Sequence, residues 1–272
     1  MYNLKKLPMK TNVFRISCLL LIGFVFISLS SCHQSEDFDE FGLSSVSEER
    51  PYLSIDKDPA KEPLTFEEEL ILKEAFVRIT IIRDNGFASI KQRSGAEINI
   101  SEPLFEFFTA MVERSNDRNL ITRTEPYGGD TNCVAYAIYC IAKRYNTLYS
   151  LDTIINVING QWGGDGVPFA MVGRMIGSFL YYSTIYDASG YLPQVSGTSA
   201  NVIIVICEKE NGVWASDNGH AAVFTMVSDN GYVIYENPGV MYNTDSEDDD
   251  QHYGLVPIEK VRIAYHITGA IR

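Results

Sequence analysis

The sequence predicts an α+β domain in which helices come first and antiparallel strands follow. Three observations lead there. Apolar residues recur at helical spacing from residue 66 to about 182. Strand-like apolar runs follow at 201–207, 220–227, 231–236 and 261–268. Asp229-Asn230-Gly231, between two of those runs, has the composition of a hairpin turn.

Each element has a local reason. Thr65-Phe66-Glu67-Glu68 reads as a capping box, with Thr65 as cap and Glu68 reaching back, so a helix is expected over about 66–83. Ser101-Glu102-Pro103 opens a second helix, because proline in a first turn lacks only an N–H that would be unpaired anyway. Leu104, Phe107, Phe108 and Met111 continue it at helical spacing. A third helix starts at Cys133 and runs to about Tyr145. Ser150 caps a short fourth one that ends at Gly160, and residues 168–182 read as a fifth. Between these last two lies Gln161-Trp162-Gly163-Gly164-Asp165-Gly166, a glycine-dense loop.

The chain begins with Lys5, Lys6, Lys10 and Arg15, followed by a mostly apolar stretch from Ile16 to Leu29 that is short for a membrane span. Leu29-Ser30-Ser31-Cys32 resembles a bacterial lipobox. The resemblance implies a signal peptide over 1–31, lipid on Cys32 and a place in the cell envelope. His33 to Glu40 is acidic, and such runs resemble export signals of lipoproteins displayed on the outer membrane; a solvated tether is the other reading. Residues 32–62, with Pro51 and Pro59, are expected to be a flexible acidic tether. Residues 63–120 are expected to form a helical lead-in, either propeptide-like or integral, ahead of a main domain over 121–272.

The chain has 272 residues and a net charge of −13. Removing 1–31 leaves 18 basic against 35 acidic residues, near −17. That charge argues against nucleic acid as a partner and favours neutral or cationic substrates. Of the five cysteines, Cys18 lies in the signal segment and Cys32 in the lipobox. Cys140 and Cys207 read as buried small apolar groups without a bridge, which leaves Cys133 as the odd thiol.

Cys133 is the residue that points to chemistry. Gly128-Gly129-Asp130-Thr131-Asn132 runs straight into the helix that Cys133 opens. A thiol there faces unpaired backbone N–H groups and the positive end of the helix dipole, which favour thiolate. His220 comes 87 residues later at the start of a strand, after the small Gly219. Neutral imidazole at that point can take the thiol proton and return it to a leaving amine. Asn237 stands 17 residues further on, at the end of the next strand, where its amide can fix the imidazole tautomer. The Cys133 N–H is the natural first oxyanion donor, and Asn132 or an amide of 128–131 the candidate second. Trp162, Gly163, Gly164 and Gly219 are expected to border the substrate cleft. His252 and His266 are alternative bases, but neither precedes a strand that ends in Asn or Asp.

Thr131-Asn132-Cys133-Val134-Ala135-Tyr136-Ala137 resembles the nucleophile segment of streptopain-type peptidases. Gly219-His220-Ala221-Ala222-Val223 resembles their Gly-His-Ala strand. The Cys-to-His spacing is more similar to the double-glycine peptidases, whose His-strand-Asp-Pro order Tyr235-Glu236-Asn237-Pro238 follows with Asn for Asp. The resemblance covers about 125–268 and is to the papain-like superfamily rather than one family in it. It implies a helical part that carries the nucleophile, packed on an antiparallel sheet or barrel, and a Cys-His-Asn thiol peptidase acting on peptide or protein. Two departures stand out. No glutamine lies shortly before Cys133, the nearest upstream being Gln92, and Pro238-Gly239 stands where streptopain relatives carry tryptophan and glycine.

No cofactor or metal is expected, since neither Cys-x-x-Cys nor His-x-x-x-His spacing occurs. The acidic run Asp245–Asp250 lacks the spacing of an EF-hand loop. Rival readings are an amidase or acyltransferase on the same fold, and a surface lipoprotein that binds peptide or glycan without turnover. Neither substrate identity nor oligomeric state is legible in the sequence.

Overall fold

Thr65 starts the first helix as the capping box predicts: Glu68 N donates to Thr65 Oγ1 (3.3 Å), and Thr65 N donates to Glu68 Oε2 (2.7 Å). This helix, α1, spans Phe66–Arg78. The structure, a computed structural model, describes residues 50–116, 132–163, 166–207, 209–210, 213–214, 219–239 and 252–272. The signal segment, Cys32, Gly128–Thr131, Gly164 and Asp245–Asp250 lie outside the described residues.

α1 stops five residues before the expected end. Ile79-Thr80-Ile81-Ile82 is a β-branched run that favours extended backbone over another helical turn. It feeds a hairpin of β1 (Ile81–Asp84) and β2 (Phe87–Ile90) instead. Asn85 and Gly86 both have positive φ, the geometry that a two-residue hairpin turn needs. α2 (Glu102–Ser115) follows, with proline in its first turn. Residues 50–62 are a second correction, since part of the expected tether is packed. Leu53 and Ile55 are buried, and Leu53 bonds through its backbone to Asn99 and Ser101 (2.9 and 2.8 Å).

α3 (Cys133–Arg144) and α4 (Leu151–Trp162) stand where expected, and Ser150 caps α4 by accepting from Thr153 N. The fifth expected helix is mostly something else. A single 3-10 turn and the short α5 (Val172–Ile176) give way to β3 (Leu180–Ile185). Tyr181, Tyr182, Thr184 and Ile185 suit a strand, and β10 (Val261–Ala270) is there to pair with them. α6 (Ala188–Val195) is capped by Asp187. β4 (Asn201–Ile206), β5 (Lys209–Glu210), β6 (Val213–Trp214), β7 (His220–Val227), β8 (Tyr232–Glu236), β9 (Tyr253–Pro257) and β10 (Val261–Ala270) complete the order.

Six strands form one antiparallel sheet in the order β3-β10-β4-β7-β8-β9. Cross-strand partners share a face, which assigns the layers. Ile203, Val205, Ala221, Val223, Ile263 and Tyr265 face α3, α4 and α5. Further along the same face, Ile234, Tyr253 and Leu255 pack with α1, α2 and the β1–β2 hairpin. α6 covers the opposite face over Ile204, Ala222 and Phe224. Arg50–Arg272 therefore make one unit, with 50–116 sharing a core with β7–β9.

Phe108 of α2 is 1% exposed at the centre of that shared core. Phe108→Ala is expected to cost about 3–5 kcal/mol. Urea unfolding should show this as a lowered midpoint in a single transition seen by probes in both α2 and β4. Two separate transitions would show that 50–116 unfolds on its own.

Candidate functional site

Cys133 is the first residue of α3, so its amide belongs to the helix-terminal N–H groups that have no partner inside the helix. α3 is held rigidly. Val134, Ala135, Ala137, Ile138, Cys140, Ile141 and Ala142 are all buried against the sheet and its neighbouring helices. The helix start falls at the end of β7. There the Ala221 amide donates to Cys133 Sγ at 3.5 Å. Ala221 directly follows His220, so the fold brings the thiol to the strand end that bears the imidazole. A backbone N–H aimed at sulfur stabilises negative charge on it.

The three cysteines among the described residues differ sharply. Cys133 is partly exposed, Cys140 and Cys207 are buried, and none forms a disulfide. Burial pushes the Cys140 thiol far up, and the Glu236 carboxylate beside it adds to the shift. Cys140 therefore remains a protonated, inert thiol, with Sγ 3.7 Å from Glu236 Oε1.

His220 opens β7. By strand alternation its side chain shares the face of Ala222 and Phe224, opposite the α3 face. Tyr235 of β8 stands edge-on to the ring, with centroids 6.2 Å apart. Asn237 follows β8 on the same alternation as Tyr235 and is buried. Its amide N–H donates to the His252 carbonyl (2.6 Å), which extends the β8–β9 ladder by one residue. Burial pushes the His220 imidazole down to about 4, and a looser contact with the Asn237 side chain works the other way. Nε2 is shut off from solvent and makes no hydrogen bond of standard geometry. His220 is thus a neutral imidazole at pH 7, the form able to accept a proton. Tyr235, pushed up to about 12 by burial, remains a neutral phenol beside it.

The remaining expected residues occupy varied positions. Asn132 is the N-cap of α3, but its side chain makes no capping hydrogen bond there. Trp162 ends α4 and packs, partly buried, against the same core as Cys133. Gly163 closes α4 at φ 67° and ψ −152°, a conformation that disfavours any other residue. Gly219 has a packing reason for its identity: a Cβ there would lie 2.7 Å from Cys207 Sγ on β4's end. Gln92 is committed elsewhere. It accepts from Thr80 N and donates to Arg78 O and Thr80 Oγ1, tying β2 to the end of α1. His266 pairs with Val202, four residues and so about 13 Å along β4 from the Ile206–His220 pair. His252 lies beyond β8, where its amide donates to Ala60 O.

Sequence reading missed three features. The Ala221 amide was signalled only by its place after His220. Tyr235, two residues before Asn237, follows from strand alternation once the pairing is known. Arg144 had no local signal at all. It crosses from the end of α3 to Glu236 Oε2 (2.7 Å) and Asn201 Oδ1 (3.2 Å), so it ties the nucleophile helix to the residue preceding Asn237. Glu69 of α1 belongs to the same neighbourhood, its carboxyl held above the usual range by burial and then by the charge of Glu236.

Among the described residues, no group of three His, Cys, Asp or Glu side chains is placed to hold a metal ion. No protein-family model matches the chain, and neither a curated protein nor a solved structure does.

The depressed imidazole has a consequence for stability. With an unfolded value of 6.5 and a folded value of about 4, the unfolded chain binds more protons between those limits. His220 therefore favours the folded state fully above about pH 6.5, and this contribution is lost as pH falls towards 4. The loss should reach up to about 3 kcal/mol. Subtracting the pH–stability curve of His220→Gln from that of the wild type should isolate it. Curves that run parallel between pH 7 and 4 would show that the ring is not buried.

Proposed function

We propose that this protein is a papain-like thiol hydrolase that cleaves peptide bonds through Cys133, His220 and Asn237. The observation that carries the reading is the 3.5 Å hydrogen bond from the Ala221 amide to Cys133 Sγ. It joins the start of a buried helix to the strand end bearing a neutral imidazole, across 88 residues of sequence. The α+β architecture, with a nucleophile helix laid on an antiparallel sheet, is compatible with this superfamily.

In this reading the His220 ring turns past the end of β7, from the Ala222 side towards the thiol, and takes its proton while Cys133 Sγ attacks the carbonyl carbon of a peptide bond. The carbonyl oxygen becomes an oxyanion at the start of α3, where the Cys133 N–H is the first donor and the Asn132 carboxamide the second. His220 returns its proton to the leaving amine as the C–N bond breaks, which leaves a thioester. Water then attacks with His220 again as base, releasing the acid and restoring the thiol. Asn237 positions the ring, and Trp162 and Gly163 border the cleft. In the same reading the chain is exported and anchored by lipid on Cys32.

Alkylation by iodoacetamide, followed by peptide mass, tests the pair directly. Cys133 should react at least about 100-fold faster than Cys140 at pH 7, and below the free-thiol value of about 8.5. His220→Ala should slow it at least about 10-fold. A Cys133 that reacts with an ordinary thiol profile, unchanged in His220→Ala, would sink the assignment. Product masses with and without an added amine acceptor then separate hydrolysis from acyl transfer.

A further inference from the structure

The β1–β2 hairpin pairs along only one side of β1. Lys91 N donates to Thr80 O (2.9 Å), and Ile82 opposite Ser89 and Asp84 opposite Phe87 follow at two-residue steps. Thr80, Ile82 and Asp84 therefore turn their backbone groups towards β2 and its continuation. By strand alternation Ile81 and Arg83 turn theirs to the outer edge. There the Ile81 N–H and the Arg83 N–H and C=O meet no hydrogen-bond partner among the described residues. The Ile81 carbonyl does meet one: the side-chain amide of Asn230, between β7 and β8, donates to it. An amide N–H already stands where a third strand would place its own.

This edge is one wall of a cavity of about 610 Å³, a size that admits part of a peptide. The opposite wall is built from the β7–β8 turn and the end of β9, with Tyr232 and Pro257. Three charged side chains line the space: Arg83, Lys91 and Glu259. Arg83 and Glu259 pair with each other at 2.7 Å and so cancel. Lys91 has no ion-pair partner among the described residues. The cavity thus carries one uncompensated positive charge in a chain of net charge −13, which favours a single carboxylate there. It lies at the far end of β7 from His220, about 20 Å along the strand.

We propose that the outer edge of β1 binds an extended peptide segment as a third strand of the hairpin, with one acidic side chain of that segment against Lys91. An open strand edge is a template for such pairing, and here a cavity stands beside it to receive the added chain. Carbonyls of the peptide accept from the Ile81 and Arg83 N–H groups, and one of its N–H groups donates to the Arg83 carbonyl. These main-chain bonds are indifferent to sequence. Selection comes from the ammonium of Lys91, which rewards a carboxylate at one position. The pair is exposed, so its contribution to affinity is modest. The inference stands on the hairpin and the cavity and does not depend on the thiol-hydrolase reading.

Amide NMR on full-length Cys133→Ser, which keeps a probe from being cleaved by the thiol, tests this. The probes are blocked threonine hexapeptides with one glutamate moved through each position, and their glutamine counterparts. At saturating peptide the Ile81 and Arg83 amides should shift and exchange hydrogen at least about 10-fold more slowly. At low salt one glutamate position should bind at least about 3-fold tighter than glutamine. Lys91→Gln should remove that preference and Lys91→Arg should keep it. Peptides methylated on the backbone nitrogens of odd or of even residues separate strand addition from side-chain capture. One set should lose binding and the other keep it, because only alternate residues of an added strand face β1. Arg83→Pro deletes an edge N–H, and it should bind more weakly than Arg83→Ala, in which the pair with Glu259 is equally lost. Where Arg83→Pro melts well below Arg83→Ala, the methylated sets decide alone. No binding at millimolar peptide, equal effects of the two methylated sets, a preference that survives Lys91→Gln, or free glutamate binding as tightly as the hexapeptides would overturn the proposal.

Discussion

Everything at the candidate site depends on how closely α3 lies against the sheet. Ala135, Ala137, Ile138, Ile141 and Ala142 of the helix share one buried core with Ala221 and Val223 of β7. Small side chains on both surfaces let the backbones approach, and burial of the larger ones holds them there. The helix axis is thereby fixed across the strands. Its first residue then falls at the His220 end of β7, and its last near Asn201 at the start of β4. A thiol on that first residue meets a backbone amide while remaining partly exposed.

The far end of α3 is secured by a different force. Arg144 reaches Glu236, which is 8% exposed in its side chain, and Cys140 lies beside the same carboxylate. Glu236 is the buried partner and Arg144 the exposed one, so removing Arg144 would leave a buried carboxylate uncompensated. The pair sets the position of the helix relative to β8, and Asn237 is the next residue along β8. The proposed nucleophile and the proposed orienting amide are therefore coupled through one helix, one ion pair and one strand. α1 enters the same neighbourhood through Glu69, so the lead-in segment bears on the geometry of the site as well as on the core.

The electrostatics favour a neutral resting site. Burial holds the His220 imidazole uncharged, and the nearest ring is the neutral phenol of Tyr235. In the proposed mechanism charge then develops where donors already stand: the Ala221 amide at sulfur and the start of α3 at the carbonyl oxygen. Such preorganised donors act more strongly in a water-poor setting than in solvent.

The sequence by itself determined the elements whose signals are local. The capping box at Thr65, proline in the first turn of α2, the serine cap of α4 and the hairpin turn at 229–231 each act within a few residues, and each stands in the structure. The order of Cys133, His220 and Asn237 was legible for the same reason: a helix start, a strand start and a strand end are local features. Other elements needed partners. Residues 180–185 continue a helical pattern until β10 offers a strand to pair with, and Leu53 looks like a polar tether until Ile100 and Asn99 meet it. The role of Arg144 depends on register, which no single segment encodes. Only tertiary packing could decide that the amide of Ala221 reaches the thiol, because that contact exists once α3 has been buried against β7.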